Sequence, residues 1–211
     1  MPRTYRVPTS SVRHEIDKVR GSRFIGTLAP VASPEEAMDL VRAVAAEFHD
    51  ARHTCWGYRL GIEGETFRSS DDGEPSGSAG KPILAQLEGA ELTQVAVAVT
   101  RYFGGTKLGV GGLVRAYGGA TAAVIELADV QAVSITQPYE VTHPYSCSGA
   151  VEGLLSARGI ATRDAQYGEV VRFTVDLDPD EADGILRELV ERTAALATTR
   201  ALPSPEPGAP A

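Results

Sequence analysis

Residues 95–100 read Val-Ala-Val-Ala-Val-Thr, five apolar side chains in a row followed by threonine, with no charge and no alternation. A strand with one solvated face alternates apolar and polar residues, so an unbroken run belongs to a strand covered on both faces. A chain built around such a strand needs elements layered above and below it, and the flanking sequence offers them. Residues 23–31 read as a first strand ended at Pro30. Ser33-Pro34-Glu35-Glu36 starts a helix: Ser33 caps, Pro34 takes the first helical position, and Glu36 completes a capping box. Ala37, Val41, Val44, Ala45 and Phe48 then recur at helical spacing and give one apolar face. Residues 53–61 and 65–70 read as two strands joined by a Glu63-Gly64 turn. Residues 71–82 form a loop by composition, residues 83–88 a short helix, residues 104–112 a glycine-rich turn, and residues 113–127 a helix.

A second unit begins near Val133. Tyr139, Val141 and His143 share one face of a strand, and Val151, Leu154 and Leu155 mark a helix that stops at Gly159. Residues 160–167 and 170–177 form a hairpin around Gly168, and Val171, Phe173, Val175 and Leu177 alternate. Asp178-Pro179-Asp180-Glu181 repeats the cap-and-proline start. Ala182, Ile185, Leu186 and Leu189 give the buried face of that helix, and residues 194–199 supply a last strand. The order β-α-β-β-α-β is that of a split βαβ unit. The expected fold class is therefore α+β. Residues 1–130 and 134–200 form two domains, and the proline-rich residues 201–211 form a disordered tail.

The chain is long enough for two small cores. No apolar stretch approaches the ~18 residues of a membrane span, and residues 1–23 carry charges where a secretory leader would be apolar, so no membrane contact is expected. Cys55 and Cys147 lie far apart, without zinc-type spacing, which fits a reducing cytoplasm. A net charge of −8 argues against polyanion binding until its distribution is considered. Residues 1–130 hold 14 basic and 16 acidic residues, whereas residues 131–211 hold 6 and 12. The first 25 residues are locally basic, with Arg3, Arg6, Arg13, Lys18, Arg20 and Arg23. Contact with phosphates should use the N-terminal part.

Residues 101–117, RYFGGTKLGVGGLVRAY, are the most informative stretch. Gly104, Gly105, Gly109, Gly111 and Gly112 sit between the buried strand and a helix, where backbone N–H groups can approach a ligand. Arg101, Lys107 and Arg115 add charge, and Tyr102 and Phe103 offer stacking faces, a combination suited to a phosphate backbone with unstacked bases. The alternative is a tight crossover whose aromatics belong to the core. A dinucleotide fingerprint would need glycine at Val114, and a Walker loop would not follow Lys107 with Leu108.

The loop at 71–82 is a second candidate. Asp71, Asp72 and Glu74 are oxygen ligands for a divalent cation, although no EF-hand spacing is present; the alternative is a solvated Asp-Gly turn. His53 and Cys55 share one side of a strand, as a nucleophile pair or as a buried cysteine beside a hydrogen-bonded histidine.

Three segments carry a family resemblance. DDGEPSGSAGKPIL at 71–84, RYFGGTKLG at 101–109 and ARHTCWGY at 51–58 resemble the signature segments of the YigZ/IMPACT family, with Ser78 in place of its usual threonine and Gly57 in place of its usual alanine. The resemblance covers about residues 5–130, and the remainder resembles the family's ferredoxin-like C-terminal domain. It implies an N-terminal βαβ-type domain resembling domain IV of elongation factor G. It also implies a role in translation regulation, which eukaryotic relatives exert through a partner of a stress kinase.

The expected function is a translation-linked RNA- or ribosome-binding protein. A protein-interaction regulator of translation stands beside it, as does a metal-dependent hydrolase using His53 with Asp71, Asp72 and Glu74. The loops at 71–82 and 101–112 are expected to converge on one site, with Lys81, Arg101 and Lys107 on its rim and no metal or cofactor bound.

Overall fold

The computed structural model describes residues 4–203. In chain order, one unit, residues 5–133, holds all but the first residue of β1 (Thr4–Pro8), then β2 (Val12–Glu15), β3 (Arg23–Pro30), α1 (Pro34–Glu47), β4 (His53–Leu60) and β5 (Thr66–Ser70). It continues with α2 (Gly80–Gly89), β6 (Val95–Tyr102), α3 (Gly109–Leu127) and β7 (Val130–Ser134). Five strands form an antiparallel sheet in the order β2-β3-β6-β4-β5, and β1 pairs with β7. The apolar run lies in β6, at the centre. Val95, Val97 and Val99 pack with Ile83, Leu87, Leu113 and Tyr117 of α2 and α3. Ala96 packs on the other face, against Ala37 of α1 and Tyr58. Burying each valine is worth about 1.5–3 kcal/mol, so burial on both faces fixes where β6 sits. Both β3 and β4 run antiparallel to β6, hence parallel to each other. The β3–α1–β4 segment is thus a crossover with β6 inserted between its strands.

Local chemistry sets the helix starts. Ser33 Oγ accepts from Glu36 N at 3.2 Å, and Glu36 Oε2 accepts from Ala32 N at 2.8 Å. Both α2 and α3 begin earlier than their apolar spacing suggests, at Gly80 and Gly109. Residues 4–15 are no free basic arm, since they form β1 and β2. Arg6 donates to Ala90 O, Arg13 is paired with Glu47, and Arg23 with Glu15. Arg3 lies outside the described residues.

The other unit, from residue 134, contains β8 (Gln137–His143), a 3₁₀ turn (Tyr145–Cys147), α4 (Ser148–Ala157), β9 (Thr162–Tyr167), β10 (Val171–Leu177), α5 (Pro179–Arg192) and β11 (Thr198–Ala201). Its antiparallel sheet has the order β11-β8-β10-β9, the ferredoxin-like arrangement. Val141, Phe173, Val175 and Leu177 meet Val151, Leu154, Ile185 and Leu189 in a separate core. Asp178 caps α5 by accepting from Asp180 N at 2.9 Å. The tail does not begin at 201: Ala201 closes β11, and Leu202 N donates to Pro138 O. Residues 204–211 lie outside the described residues.

Candidate nucleic-acid interface

The end of β6 sets the geometry. Arg101 stands in register with Phe24 of β3 and His53 of β4, on the face covered by α2 and α3. Its neighbour Tyr102 takes the opposite face, as strand alternation requires. There Tyr102 donates to Asp50 at 2.6 Å and lies under the Arg23 guanidinium, so it is no stacking platform in the candidate site. Arg101 is not a rim cation either. It is buried, its guanidinium lies 5.6 Å from the Phe24 and Phe103 ring centres, and Nη1 donates to Glu74 Oε1 at 2.6 Å. Tyr117 of α3 donates to the same oxygen at 2.8 Å. The side chains of this ion pair are only 7% and 4% exposed.

The loop at 71–79 contains the exposed Asp72-Gly73 turn that the alternative foresaw, closed by Glu74 N donating to Asp71 O at 2.9 Å, and adds to it a set of bonds to the Asp71 carboxylate. Asp71 Oδ2 accepts from Gly77 N at 2.8 Å, and Oδ1 accepts from Ala79 N and Gly80 N at 2.9 Å each. Ala79 offers no side-chain cap to α2; Asp71 provides that service from eight residues away. Burial pushes the Asp71 carboxyl up, but the N–H groups of Gly77, Gly80 and Ala79, with Lys81 nearby, outweigh it and hold the group below its usual range. Asp72 Oδ2 accepts from Thr54 N at 2.6 Å. All three carboxylates are thus engaged by protein donors. Among the described residues, no group of three or more His, Cys, Asp or Glu is arranged to hold a metal ion.

His53 and Cys55 are not a nucleophile pair. His53 Nδ1 lies 2.6 Å from Asp72 O; a carbonyl only accepts, so Nδ1 carries the proton. Cys55 Sγ donates to Asp71 O at 3.0 Å. Burial, reinforced by the charges of Glu74, Asp72 and Asp71 against a bond from Tyr117, pushes its thiol up to about 12.

The two loops come together around a cavity of about 460 Å³. Arg52, His53, Arg101, Lys107, Phe103 and Glu74 line it, together with Gly109, Val110 and Leu113 of the first turns of α3. Phe103 is 47% exposed. The α3 N-terminus has Leu108 at its cap position and no side-chain cap bond, so its first N–H groups present partial positive charge there. Other predicted residues lie elsewhere. Lys81 is exposed on α2 and does not line the cavity, and Arg115 joins Arg20 on a separate cavity of about 170 Å³ beyond Leu108. Gly104 is required for packing: a Cβ there would lie 1.9 Å from Gly21 C and 2.2 Å from Ser22 N. Gly105 and Gly111 are exposed, and a Cβ at either would meet no heavy atom within 4 Å. Sequence reasoning missed Arg52 and Tyr117. Arg52 directly precedes β4 in the 51–58 segment, which was a signal; Tyr117 looks like any other apolar-face residue of a helix.

These features define a class: a two-domain α+β protein with a cation-lined cavity in its first domain and a ferredoxin-like second domain. Residues 20–125 match the Impact N-terminal domain, and residues 141–195 match a domain of unknown function, DUF1949. An IMPACT family member from the pol 5′ region of Thermus thermophilus is 41% identical over 166 residues, covering 79% of this chain and 89% of the relative. The Bacillus subtilis member YvyE is 32% identical over 180 residues, covering 85% and 82%. The Escherichia coli member YigZ is 39% identical over 142 residues, covering 66% and 70%. A solved structure titled as that of a hypothetical protein superposes with TM-score 0.65 at 31% identity, covering 97% of this chain and all of the other. The chain belongs to the IMPACT family.

Proposed function

We propose that this protein is a cytoplasmic, translation-linked RNA- or ribosome-binding protein, and that an RNA strand docks at the cavity between the 71–79 loop and the α3 N-terminus. The observation that carries the reading is local charge. In a chain of net charge −8, Arg52 and Lys107 line one cavity beside an uncapped helix N-terminus, while Arg101 and Glu74 on the same wall neutralise each other as an ion pair. Focused charge of this kind lets an acidic protein hold a polyanion. Phe103, half exposed on the same wall, offers a face to an unstacked base, and such stacking is worth about 1–3 kcal/mol per base. No helix among the described residues is long and apolar enough to cross a membrane.

The test is fluorescence anisotropy of short single-stranded RNA on the full chain across a salt series. Lys107→Glu with Arg52→Glu should weaken binding at low salt. Each phosphate contact removed should lower the salt slope by about 0.7. Unchanged affinity and slope in that double variant would reject the cavity as the docking site.

A further inference from the structure

Glu74 is the one carboxylate lining a cavity proposed for phosphate, and its charge is matched by the Arg101 guanidinium. Its two oxygens differ. Oε1 accepts from both Arg101 Nη1 and Tyr117 Oη. Oε2 accepts no hydrogen bond from the described residues, and Glu74 is one of the residues that line the cavity. Glu74 thus brings to the cavity lining one acceptor, held still by two donors from β6 and α3, that cannot receive a phosphate and calls for a hydrogen-bond donor.

We propose that Glu74 Oε2 accepts a hydrogen bond from a ribose 2′-hydroxyl, so that the site takes ribonucleotides in preference to deoxyribonucleotides. The proposal rests on the RNA-binding reading above. In a nucleotide whose phosphate meets Lys107, Arg52 and the α3 N-terminus, and whose base lies on Phe103, the sugar joins the two and comes to Glu74. Its 2′-hydroxyl is the donor that RNA has and DNA lacks. A carboxylate already fixed by Arg101 and Tyr117 loses little further freedom on binding, which favours its use as a selective contact.

The experiment compares single-stranded oligonucleotides of one sequence carrying ribose, deoxyribose or 2′-O-methyl ribose, with several base compositions, on the full chain at low salt. Ribose should bind at least about tenfold more tightly than deoxyribose, the range of one hydrogen bond to a charged acceptor. The 2′-O-methyl strand, which has no donor, should behave like DNA. Glu74→Gln should erase the difference. Arg101 and Tyr117 both donate to one oxygen, so glutamine must place its carbonyl there and its NH₂ where Oε2 was, turning an acceptor into a donor of the same shape. Equal binding of ribose and deoxyribose strands, a preference that follows the base, or a preference that survives in folded Glu74→Gln would overturn the proposal and leave RNA binding standing. Binding of none of the strands would overturn both. If Glu74→Gln does not fold, the ribose against 2′-O-methyl comparison on the unaltered protein decides.

Discussion

Asp71 shows how much one side chain can organise. Its carboxylate closes the 71–79 loop and caps α2 together, through three backbone N–H groups. Charge-assisted bonds of this kind are worth about 1.5–3 kcal/mol. Asp71→Ala should therefore cost about 2–3 kcal/mol, read as a lower urea midpoint. The pH dependence has a definite sign. The folded-state carboxyl is held below its ordinary value, so its contribution is complete above the unfolded value of about 3.9. That contribution is lost as pH falls through the lower folded value. Asp71→Asn should flatten the acid limb of stability below about pH 4; an unchanged limb would exclude this role. Cys55 gives a second residue-level expectation. With its thiol buried and pushed up to about 12, it should react with a thiol reagent at pH 8 only as fast as the domain opens. Rapid native-state labelling of Cys55 would contradict this.

At the scale of elements, the glycine segment separates into parts with different physics. Gly104 is pressed against the backbone of Gly21 and Ser22, whereas Gly111 is helical with no heavy atom near its would-be Cβ. Gly104→Ala should cost about 2–3 kcal/mol by forcing backbone apart, while Gly111→Ala should stabilise by about 0.5–1 kcal/mol through helix propensity. Similar costs for the two would mean the segment is not packed as described. These elements also show what was legible in the sequence. The strand β6 was visible because burial on both faces leaves an unbroken apolar run, and α1 and α5 because their caps are local. The start of α2 was not, because its cap comes from Asp71, far outside any local pattern. The start of α3 was hidden by Gly109, Gly111 and Gly112, which carry no apolar periodicity. The two loops that meet at the cavity were legible from their glycine and charge. The burial of Arg101 was not, since its partner Glu74 lies 27 positions away and nothing in composition separates a paired arginine from a rim arginine.

For the whole molecule, charge is unevenly shared: residues 131–211 hold 6 basic and 12 acidic residues. Every residue lining the candidate cavity lies between 52 and 113. A fragment of residues 1–136, which keeps β7, should fold with a single cooperative transition and bind RNA. It should bind somewhat more tightly than the full chain at low salt, because a source of long-range repulsion is gone. The difference should vanish near 1 M salt, where screening acts within about 3 Å. A fragment that fails to fold would show that residues 5–133 depend on the rest of the chain.

The bonds from Arg101 and Tyr117 to one oxygen of Glu74 join chain positions 27 and 43 residues apart. No fragment of the unfolded chain can hold those three groups together, so the cavity exists only when the domain does. A ligand of the cavity is then also a ligand of the folded state, and occupancy must register as resistance to melting. At a concentration one hundred times its dissociation constant, it should add about 2.7 kcal/mol to unfolding. A thermal-shift screen of nucleotides and oligonucleotides would find such a ligand with no prior assumption about what the protein does.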